Sequence, residues 1–143
     1  MVAKSAEDIR GREFDWLAVD SDGYVALFST AGAGYAPAEF LRDTDAHDAA
    51  IEHILALSAS TKARFAPQLA PGLKNTWLLV AERGLFAFDS DPIGGPYRLV
   101  AAPELPIRIT GLPNSIAATV RLVSLGHLRF AEVDTVPEEK LRE

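Results

Sequence analysis

The chain has 143 residues, 48% of them hydrophobic and 24% charged, the size and composition of one ordinary globular domain and not of a disordered chain. Its 20 acidic against 14 basic residues give a net charge of −6, which disfavours direct nucleic-acid binding because that depends on Lys and Arg meeting phosphates. With no cysteine, disulfides, thiolate metal sites and cysteine nucleophiles are excluded.

Residues 1–13 mix charge with small side chains and read as a tail or a short helix. The next segment, FDWLAVD-SDG-YVALFST, is two β-rich runs around an Asp-Gly turn, which predicts a β-hairpin. A glycine loop, AGAGYAP, leads into a short helix beginning at PAEFL. A longer helix is expected at about 44–58, capped by Thr44 or Asp45, with Ala50, Ile51, Ile54, Leu55 and Leu57 on its apolar side and Asp48, Glu52 and Ala56 on the other. KARFAPQLAPGLKN reads as a connection, and TWLLVAE, LFAFDS and YRLVAA as a three-strand meander. PELPIRITGLPNS is extended and anchored by Ile107 and Ile109. From 113 the signals conflict: the apolar spacing favours a short helix at 113–121, while the β-branched TVRLV fits a strand paired with LRFAEV; a strand around 127–134 and a solvated tail from 135 complete the reading. The fold class is therefore α+β: one domain over residues 1–143, with antiparallel hairpins and a meander sheet packed against one main helix and one or two short ones.

No polar spacing in the chain forms a recognised catalytic signature. Asp20, Asp22 and Gly23 begin like a calcium loop, but a β-run follows, so the tight turn explains them. Gly32 and Gly34 lack the spacing of a phosphate loop and have no cation beside them in sequence; as an exposed loop next to Tyr35 they fit a contact surface. His47 and His53 lie six apart, on different sides of a helix, and with His127 read as solvated or cap-proximal, so no metal or cofactor is expected. Asp89 and Asp91 read as turn formers, and no serine has a base identifiable in sequence. Trp16, Trp77, Phe28, Phe86, Phe88 and Phe130 are the expected core, whereas Tyr24, Tyr35 and Tyr97 flank glycine-rich turns and are expected as exposed anchors.

The pieces FDWLAVDSDGYVALFSTAGAGYAP, AERGLFAFDS, PYRLVAAPELPI and LPNSI resemble small bacterial immunity proteins of polymorphic or contact-delivered toxins, over most of residues 14–130. The resemblance implies a cytoplasmic, non-enzymatic inhibitor, monomeric or homodimeric, that binds a cognate toxin such as a basic nuclease domain. The contact residues expected are the acidic helix face Asp45, Asp48 and Glu52 and the turn-borne Asp22, Tyr24 and Tyr35. Two other classes fit the same residues. One is a small enzyme or ligand-binding domain with Asp89 or Asp20 as a carboxylate base, and the other is a homodimeric module joined through a strand edge.

Overall fold

The computed structural model describes residues 3–65, 75–91 and 93–142 and has the expected α+β class. The Asp-Gly hairpin is present as β1 (Asp15–Asp20) and β2 (Val25–Ser29), antiparallel with Leu17 opposite Leu27. A short helix α1 (Ala6–Ile9) precedes it; α2 (Ala38–Leu41) and α3 (Thr44–Leu55) follow. The N-cap of α3 is Asp43, whose carboxylate accepts the Ala46 amide at 3.1 Å. Thr44, one of the expected caps, is instead buried and receives a hydrogen bond from Lys4 Nζ.

Strand β3 (Ala63–Phe65) opens the segment expected to be a plain connection; the part of that segment from 66 to 74 lies outside the described residues. The largest departure comes next. TWLLVA forms a helix, α4 (Thr76–Ala81), and not a central strand. Asn75 caps it by accepting the Leu78 amide at 3.0 Å. Gly84, with φ of 95°, closes it: the Leu85 amide returns to the Val80 carbonyl and the Gly84 amide to that of Ala81. A five-residue apolar run, WLLVA, has no resolvable period, so these two terminal signals decide its form.

The expected meander therefore shrinks to a hairpin of β4 (Phe86–Asp91) and β5 (Gly94–Pro103). Helix α5 (Asn114–Val120) lies where expected. The strand expected at 127–134 is absent; β6 (Ser124–Leu125), a 3-10 turn at Phe130–Glu132 and β7 (Thr135–Val136) occupy the region. The Phe130 amide goes to the Asp20 carboxylate at 2.7 Å and not to a strand partner, which breaks any ladder there. The expected tail is structured as β7 and α6 (Glu138–Leu141), with Val136 and Leu141 buried.

The sheet runs β3-β5-β4-β2-β1-β6, with β7 also on β5. Strands β2 and β4 are parallel, so the two hairpins join at the centre. Apolar groups cover both faces. Leu17, Leu27, Ala87 and Val100 meet Ile51, Ile54, Val80, Ile116 and Val120 of α3, α4 and α5. On the other face Trp16, Phe28, Phe86, Phe88 and Tyr97 meet Ile9, Phe40, Phe130 and Leu141. Tyr97, expected as an exposed anchor, is buried: its hydroxyl donates to the Tyr35 carbonyl at 2.7 Å and accepts from Trp16 Nε1 at 3.2 Å. Trp77 is only half-buried, because its strand became a helix. The outermost strands, β3 and β6, are three and two residues long, which leaves little ladder for a second copy.

His47 is the other correction inside the core. It is fully buried on α3, and its Nδ1 accepts the Leu17 amide at 3.0 Å. That amide points away from β2 beyond the reach of β6, which pairs only with Val19 and Asp20. The imidazole therefore stands in for a missing strand partner. Accepting through Nδ1 makes it the neutral tautomer with the proton on Nε2. Burial pulls its pKa down to about 4, against the opposing charge of Asp43.

Candidate functional site

Asp15 pairs with Ser29 across β1 and β2, and Ser29 pairs with Asp89 across β2 and β4. Side chains alternate along a strand, so these three share the face of Leu17, Leu27 and Ala87 and form a polar row where that apolar layer ends. The start of α4 overhangs the row. Trp77 Nε1 donates to Ser29 Oγ at 2.9 Å, and Ser29 donates in turn to Asp15 Oδ1 at 2.7 Å. A cleft of about 370 Å3 opens here, with Glu13 and Asn75 on its rim.

The row holds more negative charge than it balances. Burial raises the pKa of Asp15; the Ser29 hydrogen bond opposes this, while Glu13 and Asp48 add repulsion. Burial likewise pushes Asp89 up to about 6, against the Ser90 backbone hydrogen bond and with help from Glu13, Asp15 and Asp91. Asp48 on α3 is raised by burial and by Asp45 and Glu52, with Lys4 opposing. Asp48 thus links the α3 carboxylates Asp45 and Glu52 electrostatically to Asp15.

The raised Asp89 has a measurable consequence. A carboxylate whose folded pKa exceeds its unfolded value binds extra protons in the folded state, so its contribution is complete below about pH 4 and is lost as pH rises through about 6. Asp89→Asn should match wild type near pH 4 and gain on it by roughly 1–2 kcal/mol by pH 7, after allowance for the partial exposure of the group. Urea midpoints from pH 4 to 7 read this directly; parallel curves would show that Asp89 titrates normally. His47, with its depressed pKa, works in the opposite direction between about pH 4 and 6.5, so removing Asp89 also uncovers a steeper acid limb.

Of the residues expected to contact a partner, Asp45, Asp48 and Glu52 are exposed on one helix outside the cleft lining, and the charge of Asp48 reaches Asp15. Asp22 and Tyr24 sit at the opposite end of the β1–β2 hairpin and are engaged internally. Arg108 donates to the Asp22 carbonyl at 2.9 Å and lies over the Tyr24 ring at 5.1 Å, while Arg129 approaches the Asp22 carboxylate at 3.9 Å. Tyr35 lies under Arg142, 4.6 Å from guanidinium carbon to ring centroid. The structure therefore links the helix carboxylates to the cleft only through Asp48 and Asp15, and leaves the turn-borne groups apart from it.

The two candidate bases separate clearly. Asp20 is buried, and its oxygens accept the amides of Asp22, Tyr24 and Phe130 at 2.9, 2.9 and 2.7 Å, which is a structural use of both oxygens. Asp89 lies within β4 facing the cleft, and is not a cap of the following turn. Asp15, Ser29, Glu13 and Trp77 were not singled out for this site by sequence. The available signal was a pair of polar residues, Asp15 and Ser29, in core-facing register at the open end of an otherwise apolar hairpin.

Among the described residues no group of three or more His, Asp or Glu side chains is arranged to hold a metal ion, and no helix is long and apolar enough to cross a membrane. No protein-family model, curated protein or solved structure matches the chain. The class defined by fold and site is an α+β domain with an acidic cleft at the end of a mixed sheet.

Proposed function

We propose that the protein is a non-enzymatic inhibitor, an immunity protein that neutralises a cognate bacterial toxin by direct binding, and that it presents its acidic surface to a basic face of that toxin. The observation that supports this is the acidic cleft, where Asp15 and Asp89 flank Ser29 with Glu13 on the rim, together with the exposed α3 carboxylate Asp48, whose charge reaches Asp15; burial first, and then neighbouring negative charge, raises the proton affinity of Asp15, Asp48 and Asp89. Charges crowded in this way are relieved by an incoming ammonium or guanidinium group, a gain realised only in the complex. An arginine or lysine side chain entering the cleft would meet Asp15 and Asp89 on either side of Ser29, with the half-buried Trp77 ring beside it for cation–π contact. A toxin acting on nucleic acid has a basic surface where it meets phosphates, which such an inhibitor covers.

The test is affinity capture from lysate of the source organism on immobilised wild type and on the triple variant Asp45→Ala, Asp48→Ala, Glu52→Ala. Wild type should retain one stoichiometric basic partner bearing a toxin domain. The triple variant should bind it at least tenfold more weakly and with a shallower dependence on salt, since three exposed charges are removed without touching the core. Equal affinity in the two would take this surface out of the account.

A second reading is favoured by one observation, the Asp89 carboxyl with its pKa pushed up to about 6 in a polar cleft, the usual condition of a general base. A small-molecule enzyme would lose its turnover in Asp89→Asn, whereas an inhibitor would lose only a few-fold in affinity.

A further inference from the structure

A second cavity, of about 300 Å3, shares no residue with the acidic cleft. Its floor is the glycine loop after β2. There Gly32 has φ of 95°, and Ala31 before it has φ of 53°, a left-handed conformation that a residue with a Cβ keeps only where the surroundings dictate it. They do so here. The Thr30 carbonyl collects the Ala33 and Gly34 amides at 3.1 and 2.7 Å, and the Gly32 carbonyl takes the Gly11 amide at 2.8 Å. Gly34 rests directly on the core wall: a Cβ there would lie 2.7 Å from the Tyr97 hydroxyl and 2.8 Å from Ser90 Cβ. Tyr97 also holds the Tyr35 carbonyl, so the loop is fixed in advance of any ligand.

In sequence this loop has no cation, which argues against an anion cradle. The fold supplies two. Arg10 arrives from the end of α1 and Arg142 from the end of α6, and both line the cavity. Glu138, also on the wall, takes Arg142 Nε and Nη2 at 2.9 and 2.8 Å and leaves Nη1 for another acceptor. Among the described residues no carboxylate pairs with the Arg10 guanidinium. Of the charged side chains that line the cavity, two are cations and one is a carboxylate, in a chain whose net charge is −6. The remaining walls combine Thr30 and the backbone of the glycine loop with the apolar Ala6, Ile9 and Ala36 and the ring of Tyr35, over which Arg142 lies.

We propose that this cavity binds a small organic anion, a carboxylate or phosphate ester carrying an apolar or aromatic body. The anionic group would sit between Arg10 and the free edge of Arg142, and the body against Tyr35 and Ile9. A concave site of this volume that combines apolar side chains with convergent polar groups has the form of a small-ligand pocket, and guanidinium forks match both anions geometrically.

The proposal is tested by titrating the 15N-labelled full chain with phenyl phosphate and, separately, with benzoate, following backbone amides and arginine Nε resonances. Saturable shifts should cluster at residues 30–36, Arg10 and Arg142 for at least one probe, and the probe that binds identifies the anion class. Arg10→Gln should weaken binding at least fivefold, and Arg10→Gln with Arg142→Gln should abolish it. Arg121→Gln, an exposed arginine away from the cavity, should change nothing. Shifts that do not saturate, that scatter over the surface, or that survive in the double variant with its remaining spectrum unperturbed would overturn the proposal.

Discussion

Asp20→Ala should destabilise the fold by about 3–5 kcal/mol, seen as a lower urea midpoint with an unchanged slope. The carboxylate is buried and is the acceptor for three backbone amides, two from its own hairpin turn and one from Phe130, far along the chain. Alanine leaves the Phe130 amide buried without a partner, at a cost of about 1–3 kcal/mol, and removes charge-assisted bonds worth about as much from the turn. Asp20→Asn keeps the shape but has one acceptor oxygen in place of two, so its loss should be intermediate. A loss below about 1 kcal/mol in the alanine variant would mean that water or a shifted backbone re-pairs these amides, and that the carboxylate does not tie the turn to the C-terminal segment.

Phe28→Ala should cost about 3–5 kcal/mol. Phe28 is fully buried at the centre of an aromatic row that crosses three strands in register: Trp16, Phe28, Phe88. It stacks on Trp16 at 4.2 Å and on Phe88 at 5.0 Å, nearly parallel to both, and meets the rings of Tyr97 and Phe130 edge-on at 5.1 and 5.9 Å. Removing the ring opens a cavity and also breaks these contacts, each worth about 0.5–1.5 kcal/mol beyond area. Phe28→Leu fills much of the volume and should lose less than half as much, while the near-ultraviolet dichroism of Trp16 falls in both. Equal losses for alanine and leucine would place the stability in ring geometry and not in filled space.

The parts of the fold legible in sequence are those with a strong local signal. The Asp-Gly hairpin has its turn and both strands written in adjacent residues, and α3 shows its period over three turns. The exposed acidic face of α3 follows from that same period. Where local signal is short, tertiary context decides. TWLLVA is helical because of Asn75 before it and Gly84 after it, and the C-terminal strand fails because Asp20 captures the Phe130 amide. Tyr97 and His47 read as surface residues because polar groups usually are; each is buried with one specific distant partner, the Tyr35 carbonyl for the Tyr97 hydroxyl and the Leu17 amide for His47 Nδ1, while His47 Nε2 is buried without a hydrogen-bond partner. The cleft was half legible. Asp89 could be weighed as a carboxylate base, but its row with Ser29 and Asp15 depends on the parallel pairing of β2 with β4, which no local pattern announces.

That same pairing governs how the chain reaches its native state. The centre of the sheet joins Ala26 to Phe86, with α2, α3, β3 and α4 between them in the chain. The two hairpins can each form on their own from neighbouring residues, but until the intervening helices have folded, both expose an open apolar edge, since Leu27 and Phe28 on one side and Ala87 and Phe88 on the other are core residues. Closure of so long a loop is slow compared with hairpin formation. During that interval the half-made sheet is open to pairing with other copies, which makes the helical middle of the chain the element that sets both folding speed and the yield of soluble protein at high concentration.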